Sequence, residues 1–232
     1  MTTPPAQRRR DLLARMQAAA ARTTAAPSAA PELLVVSKTR AAGEIAELAA
    51  SGQRAFGENY VQEALAKQQE LAALALDWHL IGHLQSNKAA QAACAFDWVQ
   101  SVDRRKLVSL LACHRPPERA PLNVLIQVNI DDEASKSGCL PGDIRPLAEA
   151  IAAQPRLALR GLMAIPAPDP DMARRRHAFA AMKALFDDLA SRHPGIDTLS
   201  MGMSEDFELA IAAGATLVRI GTAVFGPRPR KP

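Results

Sequence analysis

The chain has 232 residues, 48% of them hydrophobic and 22% charged, which is enough to bury one large core in a single domain. Its apolar runs are far shorter than a bilayer span, and MTTPPAQRRR has no apolar stretch behind its basic residues, so neither a membrane segment nor a secretory signal is expected. The net charge of +4 suggests nucleic acid only until the charges are located: setting aside Arg8, Arg9, Arg10, Arg228, Arg230 and Lys231 in two short tails leaves 22 basic against 24 acidic residues, with few aromatics for base stacking.

Residues 5–26 read as an amphipathic, alanine-rich helix with Leu12, Leu13 and Met16 on one side, and an Ala/Pro/Ser connector runs to Pro31. The run LLVV at 33–36 then has no helical spacing and is rich in β-formers, as expected of a strand buried on both faces. From here a unit of short apolar strand, polar or glycine-bearing turn and helix recurs. The predicted strands are 33–37, 54–57, 78–82, 97–101, 123–129, 157–164, 198–201 and 216–220. Between them, Ile144, Leu147 and Ile151 keep one apolar stripe, as do Phe179, Met182 and Phe186, with Asp171 as the expected cap of the longest helix and Pro194-Gly195 as its stop. Eight such units predict a single-domain α/β protein, a compact (β/α)8 TIM barrel. An open doubly wound sheet is the alternative, although no G-x-G-x-x-G follows the first strand. The expected organisation is a helix and connector over 1–31 packed on a barrel over 32–227, with a basic tail at 228–232.

In a parallel barrel the residues after each strand share one rim, where the chemistry is done. Lys38 follows the first strand, where burial would favour its neutral, nucleophilic amine; a solvated strand-end lysine is the alternative, and the rest of the chain decides between them. Gly57-Glu58-Asn59 and Gly82-His83 follow the second and third strands. The loops after strands 7 and 8, SMGMS and RIGT, are where barrels commonly hold a phosphate. Ser204 is placed to cap a short helix over 205–213, and Gly221-Thr222 would let the backbone approach an anion. Lysine and phosphate together describe a phosphorylated aldehyde, that is, a pyridoxal phosphate site.

His79 and His83 form an H-x3-H pair with no third ligand at metal spacing, so His79 is expected in the core or at an interface. Lys136 in SKSG reads as a loop lysine. Cys94, Cys113 and Cys139 read as packing or loop thiols, consistent with a reducing cytoplasm.

The motifs VVSKTR, FGENYVQE, WHLIGHLQSNK, GLMAI, LSMGMSEDFELAI and VRIGTAVFG, in this order, closely resemble the pyridoxal phosphate homeostasis protein family, over roughly residues 10–227. That family has the single-domain barrel related to the alanine racemase N-terminal domain. The resemblance implies that Lys38 forms the internal aldimine. It also implies that Ser204, Gly221 and Thr222 hold the phosphate with Ser200 nearby, that Arg219 faces the pyridine nitrogen, and that Asn59, Met163 and His83 lie around the cofactor. A guanidinium is only a donor, so it would keep the ring nitrogen unprotonated and the ring a poor electron sink. A racemase of this kind takes a second base, a tyrosine, from a C-terminal domain. The chain ends at Pro232 and its one tyrosine, Tyr60, lies in GENYVQE. The expectation is therefore a monomeric carrier of pyridoxal phosphate that meets apo enzymes and free amino acids, with little turnover and no nucleic-acid or membrane partner. A weak amino-acid racemase using His83 is the alternative, and a class I aldolase built on Lys38 ranks below both.

Overall fold

In the computed structural model, which describes residues 3–22, 30–133, 137–166 and 171–227, eight parallel strands close into a barrel in sequence order. The strands are β1 Glu32–Val36, β2 Ala55–Glu58, β3 Asp77–Leu80, β4 Trp98–Val102, β5 Leu122–Val128, β6 Leu157–Ala164, β7 Thr198–Ser200 and β8 Leu217–Ile220. Helix α1 (Pro5–Ala21) precedes them. Crossovers carry α2 (Ala42–Ala50), α3 (Val61–Glu70), α4 (Ala89–Ala95), α5 (Arg105–His114), α6 (Ile144–Ala152), α7 (Met172–Arg192) and α8 (Phe207–Ala212). The short α9 (Thr222–Phe225) follows β8. All eight strands fall where the apolar runs place them, within one or two residues at each end. The open-sheet alternative is excluded by the pairing of β1 with β8, Leu34 opposite Arg219.

The main core lies between barrel and helices. In α6, Ile144, Leu147, Ala148 and Ile151 form the buried stripe, each large side chain stabilising by about 1.5–3 kcal/mol. In α7 the stripe is Phe179, Met182, Phe186 and Leu189, and the Asp171 carboxylate caps the helix by accepting the Ala173 N–H at 2.8 Å. A smaller apolar cluster of Leu34, Ile81 and Leu217 occupies the barrel interior.

Two expectations are corrected. Arg8 and Arg9 are not tail charges. They belong to α1, where Arg8 donates to the Val224 and Phe225 carbonyls (both 2.7 Å) and Arg9 to Gln53 Oε1 (2.9 Å) and the Ser51 carbonyl (3.0 Å). The physical reason is that carbonyls at helix ends have no partner inside the helix, and a guanidinium fork supplies donors to several at once. Ser204 does not cap a helix over 205–213. It lies in a turn, the helix begins at Phe207, and the Asp206 carboxylate turns back to accept the Met203 N–H at 2.7 Å. Residues 23–26 of the predicted first helix, Lys136, Arg228, Arg230 and Lys231 lie outside the described residues. Among the described residues no helix is long and apolar enough to cross a membrane.

Candidate functional site

Lys38 sits in a tight turn at the end of β1. The Ser37 carbonyl accepts the Arg40 N–H at 3.0 Å, with Lys38 second and Thr39 third in the turn. Thr39 has φ 64°, a left-handed conformation that disfavours a β-branched side chain by roughly 1–2 kcal/mol. Neighbouring charges hold it there. The Thr39 N–H donates to Glu63 Oε1 at 2.5 Å, and Lys67, one turn further along α3, donates to Glu63 Oε1 (2.7 Å), the Ser37 carbonyl (2.8 Å) and Glu58 Oε1 (2.7 Å). Ser37 Oγ completes the group by donating to Glu58 Oε1 at 2.6 Å. Burial pushes the Glu58 carboxyl up, against the opposing pull of Lys67 and Ser37, and its Oε2 has no partner among the described residues.

Arg219, next to β1 on β8, is 4% exposed and held from behind. Its Nη1 donates to Ser200 Oγ and its Nη2 to the Ala164 carbonyl, both at 2.7 Å. Burial lowers its pKa to about 10, desolvation outweighing the field of Asp206, and it is still a cation at neutral pH. No carboxylate among the described residues pairs with it. Ser200 and Ala164 take its donors, while Asp206 is engaged with the Met203 N–H.

Two adjoining cavities of about 350 Å³ each open on this rim, and Val36, Lys38, Met203 and Arg219 line both. The first adds Arg40, Arg175, Ser204, Gly221 and Thr222, with Glu205 and Asp206 as its acids. Four cations against two carboxylates favour an anion there. The backbone comes close at Gly221, where a Cβ would stand 3.1 Å from the Val36 carbonyl. The second cavity adds Asn59, His83, Gln127 and Ser137. Gly82 makes this wall possible: a Cβ there would lie 2.2 Å from the Asn59 carbonyl, so only glycine lets the ends of β2 and β3 approach this closely.

The structure thus gathers Lys38, Asn59, His83, Ser204, Arg219, Gly221 and Thr222 around one divided cleft. Ser200 and Met163 are fully buried and line neither cavity; Ser200 reaches the cleft through Arg219. The two histidines part company. His83 is half-exposed, its Nδ1 3.1 Å from Ser137 Oγ, whereas His79 is buried inside the barrel, desolvation lowering its pKa to about 3. Sequence reasoning missed Gln100, Glu63 and Lys67. A usable signal was present for the first: Gln100 is a polar residue in the buried run WVQSV, and a polar side chain inside a two-face-buried strand faces a polar partner.

A closed parallel barrel with a lysine at the end of its first strand, beside an anion-favouring cavity and a buried arginine, defines a protein built to hold a small phosphorylated carbonyl compound. The model of the family described as "Alanine racemase, N-terminal domain" matches residues 13–229. The pyridoxal phosphate homeostasis protein of Pseudomonas aeruginosa is 56% identical over 196 residues, covering 84% of each chain. That of Escherichia coli K12 is 54% identical over 199 residues, covering 84% of this chain and 85% of the relative. Among solved structures, PipY of Synechococcus elongatus PCC7942 with PLP bound has a TM-score of 0.82 at 36% identity, covering 96% of this chain and all of that one. Alanine racemase from Corynebacterium glutamicum shares the fold, with a TM-score of 0.66 at 17% identity. The chain belongs to the pyridoxal phosphate homeostasis protein family, within the alanine racemase N-terminal domain class.

Proposed function

We propose that this protein binds pyridoxal 5'-phosphate at Lys38 and serves its intracellular homeostasis, buffering or delivering the cofactor rather than turning over a substrate. The observation that carries this reading is the partition itself: an amine in the turn after β1 and a buried guanidinium on β8, the strand paired with β1, line both cavities of one cleft. When bound, pyridoxal phosphate supplies an aldehyde, which condenses with a primary amine with loss of one water, and a pyridine ring whose nitrogen accepts a hydrogen bond.

The residues fit that group. Lys38 offers Nζ from a turn whose direction is fixed by Glu63 and Lys67. Ser204, Thr222 and the Gly221 backbone would take the phosphate in the cation-rich cavity, and Arg219 would donate to the ring nitrogen. The second cavity, with Asn59 and Gln127, leaves an approach for free amino acids or for an acceptor apo enzyme. We also propose a monomer working in a reducing cytoplasm, to which the free thiols of Cys94, Cys113 and Cys139 are suited.

The test is a visible absorption spectrum with added pyridoxal phosphate. A borohydride-reducible band in the wild type, with the label recovered on Lys38 by mass spectrometry and absent from Lys38→Ala, is expected. No band at excess cofactor overturns the reading. One observation favours weak racemase activity as a second reading: His83 lines the same cavity as Lys38, beside Ser137. Exchange of the α-hydrogen of L-alanine that is lost in His83→Phe would establish it, and its absence in the wild type would remove it.

A further inference from the structure

The interior of the barrel carries a polar chain that runs from Arg219 away from the cleft. Arg219 Nη1 donates to Ser200 Oγ (2.7 Å), Ser200 Oγ donates to Gln100 Oε1 (2.7 Å), and Gln100 Nε2 lies 3.0 Å from His79 Nδ1. Every member is at most 4% exposed, and the four residues come from β8, β7, β4 and β3. The His79 ring is stacked on Trp98, centroids 5.1 Å apart and planes 7° from parallel.

With the Gln100 amide oriented Oε1 toward Ser200, donor and acceptor counts fix the direction of this chain. A guanidinium only donates, so Ser200 must accept from Arg219 and send its single proton to an acceptor, Gln100 Oε1. The amide N–H of Gln100 then faces His79 Nδ1, which has to be a bare nitrogen, leaving the imidazole neutral with its proton on Nε2. The burial that holds His79 far below its ordinary titration range agrees with a neutral ring. A neutral, directional chain of this kind neither cancels the charge of Arg219 nor offers it a competing partner toward the cleft. Its effect is to anchor one arm of the guanidinium, as the Ala164 carbonyl anchors the other.

We propose that Gln100 and His79 are positioning residues for Arg219: acting through Ser200, they hold the guanidinium with its donors toward the ring nitrogen of a bound pyridine and so keep that ring a weak electron sink. The inference rests on the cofactor reading above. It assigns a role to two side chains that do not reach either cavity. Without Gln100, Ser200 keeps an unplaced proton and can rotate away, the Nη1 anchor is lost, and water can take the place of the guanidinium at the ring nitrogen.

The experiment uses full-length protein loaded with ¹⁵N-labelled pyridoxal phosphate and compares wild type with Gln100→Met and His79→Phe at neutral pH. The ring-nitrogen resonance is expected to move in both variants toward that of the same cofactor–amine adduct in water. Conversion of L-alanine to pyruvate with amination of the cofactor is expected to rise about tenfold. Borohydride trapping at Lys38 is the separate check: if the wild type does not trap, the cofactor reading fails; if the variants trap normally with a wild-type resonance, the positioning role fails. Ile126→Val, a buried change in the same barrel, loosens packing without touching the chain and has to leave the resonance in place; an equal shift there also overturns the proposal. If Gln100→Met does not fold, Gln100→Glu carries the test. It keeps the size and the acceptor for Ser200 but places a carboxylate two hydrogen bonds from Arg219, and an unmoved resonance in it has the same adverse meaning.

Discussion

Two buried polar groups stand behind Lys38 and Arg219, two of the cleft's cations, and they are built on opposite principles. Outside the barrel wall, Ser37, Glu58, Glu63 and Lys67 fix the turn that carries Lys38 with charges: one ammonium shared between two carboxylates and a carbonyl. Inside the barrel, Ser200, Gln100 and His79 fix Arg219 with neutral dipoles. The difference follows from what each must hold. A strained turn with a left-handed threonine needs strong restraint at the backbone. An arginine facing a ligand needs to keep its charge available, and a second carboxylate behind it would divert that charge.

The sharpest way to break the comparison is to remove one charge from the outer group. Lys67→Met leaves Glu58 buried without its cation and is expected to destabilise by about 3–5 kcal/mol in urea denaturation, whereas the double variant with Glu58→Gln recovers much of that loss. Equal stabilities for the single and double variants would mean that the outer group is not held by charge.

Acid should separate the two groups by sign. His79 titrates near 6.5 when unfolded and at about 3 in the barrel, so between these values the unfolded chain binds the extra proton. Its contribution is present above about pH 6.5 and is lost as pH falls through that window, by up to about 1.4 kcal/mol per pH unit. Glu58 runs the other way. Its carboxyl is raised from 4.5, so the folded state holds the proton longer, and its contribution is present in acid and lost as pH rises through the window above 4.5. Urea denaturation across the acid range should show the slope flattened in His79→Leu. Parallel profiles for wild type and variant would contradict a neutral buried imidazole.

The smallest effects come from the same deletion made twice. Ser200→Ala strips a partner from both Arg219 and Gln100 and is expected to cost roughly 2–4 kcal/mol, while Ser37→Ala leaves Glu58 Oε1 still bonded to Lys67 and should cost about 1 kcal/mol. Thermal melts of the pair, side by side, give the ratio; a larger loss for Ser37→Ala would reverse the ranking of the two groups.

How much of this was legible depended on whether the cause was local. Both-face burial writes an apolar, β-branched run such as LLVV or NVLIQV directly into the chain, so the strands could be read, and the strand ends then brought Lys38, Arg219 and Gly221 to one rim. The cap at Asp171 was local too. The start of α8 was misplaced because Asp206, not Ser204, closes the turn onto Met203, and both residue types are plausible caps. Arg8 and Arg9 looked like loose charge because their partners, Val224, Phe225 and Gln53, are 44 to 217 positions away. Gln100 and Ser200 are separated by 100 residues, and no periodicity announces a bond of that span.

Closure of the sheet by β1 against β8 has a consequence for how the molecule is made. Lys38 emerges in synthesis long before Arg219, yet the pairing of Leu34 with Arg219 brings both residues to one cleft. A nascent or shortened chain that has not yet delivered β8 has the amine without its neighbouring guanidinium and without the Gly221 turn. Tight retention of a ligand in this cleft would therefore report that the ring of strands is complete. A pairing of such long sequence separation is also among the slower to form, so ligand present during folding would favour the last step of closure over the chains left open.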